Sequence, residues 1–215
     1  MAAEFAVELE QPPVPLSRDF FAGETAEVAR DLLGRWLVRD GPEGLSGGPI
    51  VETEAYGGPE DKASHTRAGR TKRTAPMFGP VGHAYVYLVY GMHECLNVVA
   101  YKDREAGAVL IRAIEPRLGV DVMRARRGGR ADAAARLASG PARLCQALAI
   151  TRTFDGRDLL AGADLWLASP PSQQASTPIE VVAGVRIGVD YAGPGWADRA
   201  WRFWIAGNPA VSKPR

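Results

Sequence analysis

The sequence predicts an α+β fold, a single domain built around an antiparallel β-sheet. Short runs of β-branched and aromatic residues follow one another along most of the chain, whereas helical periodicity is confined to one segment near the start and a group in the middle. The 24 glycines and 16 prolines among 215 residues favour many turns and short strands over long helices. A length of 215 residues is enough for one sizeable core or two small ones, and 46% hydrophobic with 24% charged residues is a globular rather than disordered composition.

Residues 1–17 contain Gln11-Pro12-Pro13-Val14-Pro15 and little periodicity, and read as a flexible N-terminal arm, which leaves 18–215 as the domain. A helix opens at Gly23-Glu24-Thr25-Ala26, buries the stripe Ala26, Ala29, Leu32 and Leu33, and is ended by Gly34. Residues 35–39 form a strand and 40–48 a Gly-rich turn. The strand 50–56 then sends Glu52, Glu54 and Tyr56 to one face and Val51, Thr53 and Ala55 to the other. Two carboxylates on one side of a strand of β-formers are notable, because buried carboxylates are costly unless paired or used. From this segment alone, a solvated sheet face with two harmless glutamates is the better explanation. Gly57-Gly58-Pro59 stop the strand and leave Tyr56 at its mouth.

A long polar segment, 57–80, carries His65 and then Arg67, Arg70, Lys72 and Arg73 within seven residues. A loop of that length in a compact domain is usually functional or disordered. Its charge suits a solvated surface and contact with phosphates equally. The runs 83–90 and 95–101 form a hairpin about the link 91–94, with Tyr85 and Tyr87 on one face and Tyr90 at the tip, where there is little core to enter. Residues 107–114 form an apolar strand interrupted by Arg112, which needs a carboxylate or ligand if buried, and Glu52 and Glu54 are candidates.

Residues 118–128 read as a helix with a basic end, and 131–138 continue helical up to a break at Ser139-Gly140-Pro141. Pro141 suits the first position of a helix running to Ile150. Its free backbone N–H groups and Arg143 fit a phosphate, as they fit an ordinary helix start. A short strand at 165–167, a Pro/Ser/Gln-rich loop at 169–178 and strands at 179–189 and 201–206, joined by the turn-rich 190–200, complete the chain.

Composition and motifs exclude several classes. Lys plus Arg total 26 against 25 for Asp plus Glu, so the formal net charge of +1 points to no partner, although a local basic face is compatible with it. No apolar run has membrane-span length and the N-terminus lacks signal-peptide character, which argues against a membrane association. Cys95 and Cys145 lie far apart without metal spacing and read as reduced thiols of an intracellular protein. A phosphate-binding P-loop, a dinucleotide fingerprint and a GxSxG elbow are absent. The three histidines, at 65, 83 and 93, show no metal-ligand spacing, and His93-Glu94-Cys95 lacks the pattern of a zinc deaminase. Catalysis would fall to carboxylates, His, Tyr and water.

Several segments together resemble the alkyladenine (3-methyladenine) DNA glycosylase family, the methylpurine glycosylase type. They are Val51-Glu52-Thr53-Glu54-Ala55-Tyr56 with Gly58-Pro59-Glu60-Asp61 and Ala63-Ser64-His65, then Met77-Phe78, and the hairpin from Tyr85-Val86-Tyr87 to Tyr90-Gly91-Met92 with Asn97. Leu110-Ile111-Arg112-Ala113-Ile114-Glu115-Pro116 and Ser139-Gly140-Pro141 to Leu144-Cys145-Gln146-Ala147-Leu148 follow in order, so that the match spans 20–212. The resemblance implies a curved, open-barrel-like antiparallel sheet with flanking helices and a protruding hairpin. It implies a monofunctional base-excision-repair glycosylase, a monomer acting on double-stranded DNA that contains damaged purines, without cofactor or metal, wherever the DNA resides (cytoplasm and nucleoid, or nucleus). Such an enzyme flips an alkylated or deaminated purine from the duplex and hydrolyses its N-glycosidic bond, leaving an abasic site.

Carried over by position, the resemblance makes Glu54 the general base that activates water and has Arg112 hold that water with the main-chain carbonyl of Ile187. It places Tyr56, His65 and Tyr87 around the flipped base, and Asn97 where the 2-amino group of guanine is refused. Tyr90 fills the gap in the base stack, Glu52 is a supporting residue, and Arg67, Arg70, Lys72, Arg73 and Arg143 become contacts to the DNA backbone. The chain departs from the family at Arg73-Thr74, where an asparagine often follows the arginine, so the resemblance does not carry over one loop contact. Two other readings are a non-catalytic binder of damaged or distorted DNA and an unrelated small-molecule hydrolase using Glu54 and Arg112. The retained Glu54, His65 and Arg112 weigh against the first, and Tyr90 with the basic loop against the second.

Overall fold

One long strand organises the computed structural model, which describes residues 13–103, 105–129, 133–171 and 178–213. That strand is β2 (Gly44–Tyr56); the others are β1 (Trp36–Gly41), β3 (Ala84–Val89), β4 (His93–Val99), β5 (Ala108–Ile114), β6 (Leu165–Ala168), β7 (Val181–Gly184) and β8 (Arg202–Ile205). β2 pairs with β1 over its first half and lies between β5 and β8 over its second. The sheet runs β3-β4-β5-β2-β1-β6, with β8 also on β2 and β7 on β8. Among the described residues every pairing is antiparallel and the sheet does not close into a barrel. The α+β architecture is therefore the one the sequence predicts.

Among the described residues three short helices, α1 (Thr25–Asp31), α2 (Val120–Arg126) and α3 (Pro141–Ala147), accompany the sheet. α1 packs on β2 and β5, and α3 on β4 and β5. Between them lies the main core, in which Ala29, Leu32 and Leu33 meet Ile50, Ala55, Leu96, Val109, Ile111 and Leu144. Thr53, on the core face of β2, donates its hydroxyl to the Ala29 carbonyl at 2.7 Å and satisfies an acceptor that the short helix leaves open.

Two register shifts decide what β2 presents on its other face. Ile50 pairs with Ile114, Glu52 with Ala113 and Thr53 with Ile111, so Val51 is extra on β2 and Arg112 extra on β5. Strict alternation, which put Val51 with Thr53 and Ala55, fails here: Val51 packs instead with Ala113, Ala135 and Ala210. The shift on β5 lets Arg112 reach both Glu52 and Glu54.

Other elements differ from expectation in their extent. The Gly-rich stretch 40–48 is mostly strand, with only Pro42 and Glu43 between the paired residues Gly41 and Gly44. Gly47 and Gly48 are needed for close packing rather than turning, since a Cβ there would strike the carbonyls of Leu37 and Glu115. α3 stops at Ala147, and Ala149 adopts φ 50°. Of the helical stretch expected at 131–138, residues 131 and 132 lie outside the described residues, and Ala134–Arg136 form a single 3-10 turn. The expected strand 179–189 ends at Gly184. Residues 1–12 of the expected arm and 172–177 of the expected loop also lie outside the described residues. Pro13 to Leu16 run along β6, where Trp166 donates to the Pro13 carbonyl at 3.0 Å and Leu16 donates to the Leu167 carbonyl at 2.9 Å.

The β3–β4 hairpin turns through Tyr90 and Gly91, with φ 51° and 68°, closed by Met92 N–H on the Val89 carbonyl at 3.1 Å. Two left-handed central residues match the twist of the flanking strands. Glycine adopts this conformation freely, whereas tyrosine does so at a cost of roughly 1–2 kcal/mol. The result is an aromatic side chain held out from the sheet, 86% exposed.

Candidate active site

On the sheet face opposite α1, Glu54 is fully buried and held by three donors. Its Oε1 accepts from the Ile187 backbone N–H at 2.7 Å, and its Oε2 accepts from the Tyr56 hydroxyl at 2.8 Å and from Arg112 Nη1 at 3.1 Å. Four lone-pair sites are available on a carboxylate. Among the described residues the donors occupy three, leaving one on Oε1, beside Ile187. Arg112 also donates from Nε to Glu52 Oε1 at 2.9 Å. Glu52 Oε1 accepts in addition from Arg202 Nε at 2.7 Å and from the Ser212 hydroxyl at 2.9 Å, and Oε2 accepts from the Ser212 backbone N–H at 2.7 Å.

Two carboxylates and two guanidinium groups thus form a buried network of zero net charge. Desolvating such ions is tolerated only with this degree of pairing. Burial works against the charge on Arg112, yet Glu54 and Glu52 outweigh it and its pKa is raised. Burial and the adjacent Glu54 carboxylate push the Tyr56 phenol well above its ordinary pKa, so Tyr56 remains the donor in its bond to Glu54. Arg112, which needs a partner on sequence grounds, has both of the candidate carboxylates.

Tyr56, Arg112 and Ile187, the three residues that donate to Glu54, line a cavity of about 520 Å³, a size typical of small-molecule sites. Its other walls include His65, Tyr85, Tyr87 and Asn97. The His65 ring stands edge-on to Tyr87, with centroids 4.7 Å apart, and its Nδ1 lies 2.9 Å from the Tyr85 hydroxyl. Burial, with Arg73 and Arg67 nearby, lowers its pKa to about 4, so the imidazole is neutral at pH 7. Burial also raises the Tyr87 phenol, reinforced by Cys95 and Tyr85. Asn97 is pinned by donation from Nδ2 to the Tyr85 carbonyl at 3.0 Å.

The turn carrying Ile187 is fixed by a feature that the sequence reading missed. Arg186 is buried and bidentate to Asp61, Nη1 to Oδ2 at 2.6 Å and Nη2 to Oδ1 at 3.1 Å. It also donates to the carbonyls of Ala55 (2.9 Å) and Trp196 (3.0 Å). Its guanidinium sits 5.0 Å from the Tyr56 ring and 5.2 Å from Trp201, and so supports the aromatic wall from behind. β7 stops short because Arg186 turns inward here. The available signal was a lone arginine between Val185 and Ile187, the same pattern that singled out Arg112.

The basic residues divide in two. Arg70 and Lys72 are exposed with no hydrogen bond or ion pair among the described residues, and Arg67 is exposed but donates to the Lys62 carbonyl at 3.0 Å. Arg73 is exposed too but lines the cavity, its guanidinium 5.5 Å from the Tyr87 ring centroid. Arg143 lies with Arg136 and Lys213 around a second hollow of about 450 Å³, which meets the first at Arg112, Pro141 and Ile187. Tyr90 is at the rim of the main cavity, beside Met92, which is 71% exposed. Among the described residues no three His, Cys, Asp or Glu side chains gather to hold a metal, and no helix is long and apolar enough to cross a membrane.

The sequence model of the methylpurine-DNA glycosylase family matches residues 19–209. A Methanocella arvoryzae protein that carries the 3-methyladenine DNA glycosylase name is 50% identical over 198 residues, covering 92% of this chain and 96% of the relative. The DNA-3-methyladenine glycosylases of mouse and human are 46% and 44% identical over 92% of this chain, which covers 61% and 67% of those longer proteins.

Proposed function

This chain belongs to the methylpurine-DNA glycosylase family and is a base-excision-repair glycosylase, and from that premise we propose that Glu54 activates the water that releases a flipped purine. The observation that carries this reading is the one lone-pair site of Glu54 left without a donor among the described residues, on Oε1 beside the Ile187 peptide. A water accepting from Arg112 and donating to the Ile187 carbonyl can give its second proton to that site. Glu54 takes the proton as oxygen bonds to the sugar C1′, and the C1′–N bond breaks with its electron pair leaving on the base. The carboxylate also stabilises the positive charge that develops on the sugar. General-base assistance of this kind contributes on the order of 10²–10⁴-fold.

The other groups bind and select. Exposed Arg67, Arg70, Lys72 and Arg143 meet backbone phosphates of duplex DNA, while Tyr90 enters the base stack and compensates for unstacking, which costs a few kcal/mol. Tyr56, His65 and Tyr87 receive the alkylated or deaminated purine, and the fixed Asn97 amide leaves no room for the 2-amino group of guanine. Aromatic walls attract a cationic alkylated base, and a neutral His65 does not repel it. Hairpin tip, cavity and basic residues serve one lesion from one chain, so the enzyme acts as a monomer where the DNA lies.

The test is incubation with duplexes bearing a single 3-methyladenine, hypoxanthine or 1,N6-ethenoadenine, followed by chromatography of free base. Release of at least one of these bases is expected. Tight lesion binding without release of any would replace this reading with that of a non-catalytic damage binder.

A further inference from the structure

We infer that Ser212 and Arg202 are positioning residues that hold Glu54 in register for water activation, acting through Glu52 and Arg112; this rests on Glu54 being the base. Neither residue borders the base-binding cavity. Both converge on Glu52, whose two oxygens receive four donors: Arg112 Nε, Arg202 Nε, the Ser212 hydroxyl and the Ser212 backbone N–H. Among the described residues Arg112 alone bridges the two carboxylates, with Nε on Glu52 and Nη1 on Glu54. A planar guanidinium cannot turn one edge without moving the other, so the anchorage of Glu52 sets the angle at which Nη1 meets Glu54.

The anchor comes from two remote parts of the chain. Arg202 is carried on β8 beside β2. Ser212 is held by donation from Arg202 Nη2 to its carbonyl at 3.2 Å, and its hydroxyl accepts a long 3.5 Å contact from Arg112 Nη2. The preceding residues are pinned too: Asn208 donates to Glu115 at 3.0 Å and Ala210 is fully buried. Glu52, Arg112, Arg202 and Ser212 are all buried, with Ser212 and Arg112 bordering the second hollow. The C-terminal segment thereby reaches the catalytic carboxylate through two charged intermediaries.

Ser212→Ala removes the hydroxyl and keeps the backbone N–H; Ser212→Thr keeps both; Val211→Ala loosens the same segment without touching the network. Single-turnover base release should fall about 10-fold in Ser212→Ala, within the up to about 100-fold expected for displacement of a reacting group by about an ångström. Affinity for lesion DNA should stay unchanged, Ser212→Thr should restore the rate, and Val211→Ala should retain it. Arg202→Lys, which keeps charge but loses the fork, should slow release like Ser212→Ala. Wild-type release by Ser212→Ala, or equal slowing by Val211→Ala or Ser212→Thr, would overturn the positioning role. Glu54→Gln is measured alongside: if it still releases base, the proposed general base fails, whereas an inactive Glu54→Gln beside a fully active Ser212→Ala sinks only the present inference.

Discussion

Replacing Arg186 by methionine tests whether the inward turn after β7 is held by one buried ion pair. Methionine keeps much of the aliphatic bulk but removes donors to both Asp61 oxygens and to the carbonyls of Ala55 and Trp196. Asp61 would then remain buried with only the backbone N–H groups of Gly57 and Ala63, each at 3.0 Å. Breaking a fully buried pair by removing one partner costs about 3–5 kcal/mol. For a chain of this length, about 2–4 °C per kcal/mol converts that into a fall in Tm of roughly 6–20 °C. Urea unfolding followed by tryptophan fluorescence is the assay, and Trp201 beside the guanidinium provides a local reporter. Asp61→Asn alone should be comparably damaging, since it strands the arginine. The double variant should be at least about 2 kcal/mol more stable than the sum of the single changes implies. A single-variant loss below about 1 kcal/mol, or strict additivity, would refute the reasoning from burial.

Three further outcomes follow from the geometry. His65 has its pKa lowered from 6.5 to about 4, so the folded state resists protonation that the unfolded chain accepts, and stability is lost as pH falls below 6.5. Between pH 7 and 5 this amounts to about 2 kcal/mol, and urea unfolding of His65→Gln should lack that increment; an unchanged pH dependence would contradict it. Tyr90→Gly removes the left-handed strain but adds unfolded-state entropy, so denaturation should show a gain of roughly 0.5 kcal/mol, while titration with lesion duplex shows weaker binding; undiminished affinity would remove the wedge role. Arg70→Ala with Lys72→Ala should reduce the slope of log affinity against log salt by roughly 0.9 for each phosphate no longer neutralised, with release unchanged at saturating DNA; an unaltered slope would place the backbone elsewhere.

The features legible in the sequence were those with a local signature. Helix α1 follows from the spacing of Ala29, Leu32 and Leu33, and the hairpin from two β-rich runs about Gly91. The need of Arg112 for a carboxylate was visible because an arginine interrupts an apolar run, and Glu52 and Glu54 stood out by sharing a strand face. What escaped the reading lacks such a signature. Residues 61 and 186, or 52 and 212, are brought together only by the fold, so neither pairing marks the chain locally. The bulge at Val51 breaks the period of two on which the face assignment rested. Gly47 and Gly48 read as a turn because composition does not distinguish a glycine needed for φ from one needed for close backbone approach. Arg73 was grouped with its basic neighbours, yet its guanidinium lies by Tyr87 in the cavity wall, a difference that only side-chain placement reveals.

The decisive measurement for Glu54 as the base is single-turnover release from a duplex with one hypoxanthine or 3-methyladenine by wild type and Glu54→Gln, with lesion affinity measured on the same samples. Glutamine keeps the size and an acceptor oxygen but cannot take a proton from water. A base role for Glu54 requires a drop of at least about 10²-fold in release with lesion binding retained. Release within a few-fold of wild type would contradict that role and move the chemistry to another group.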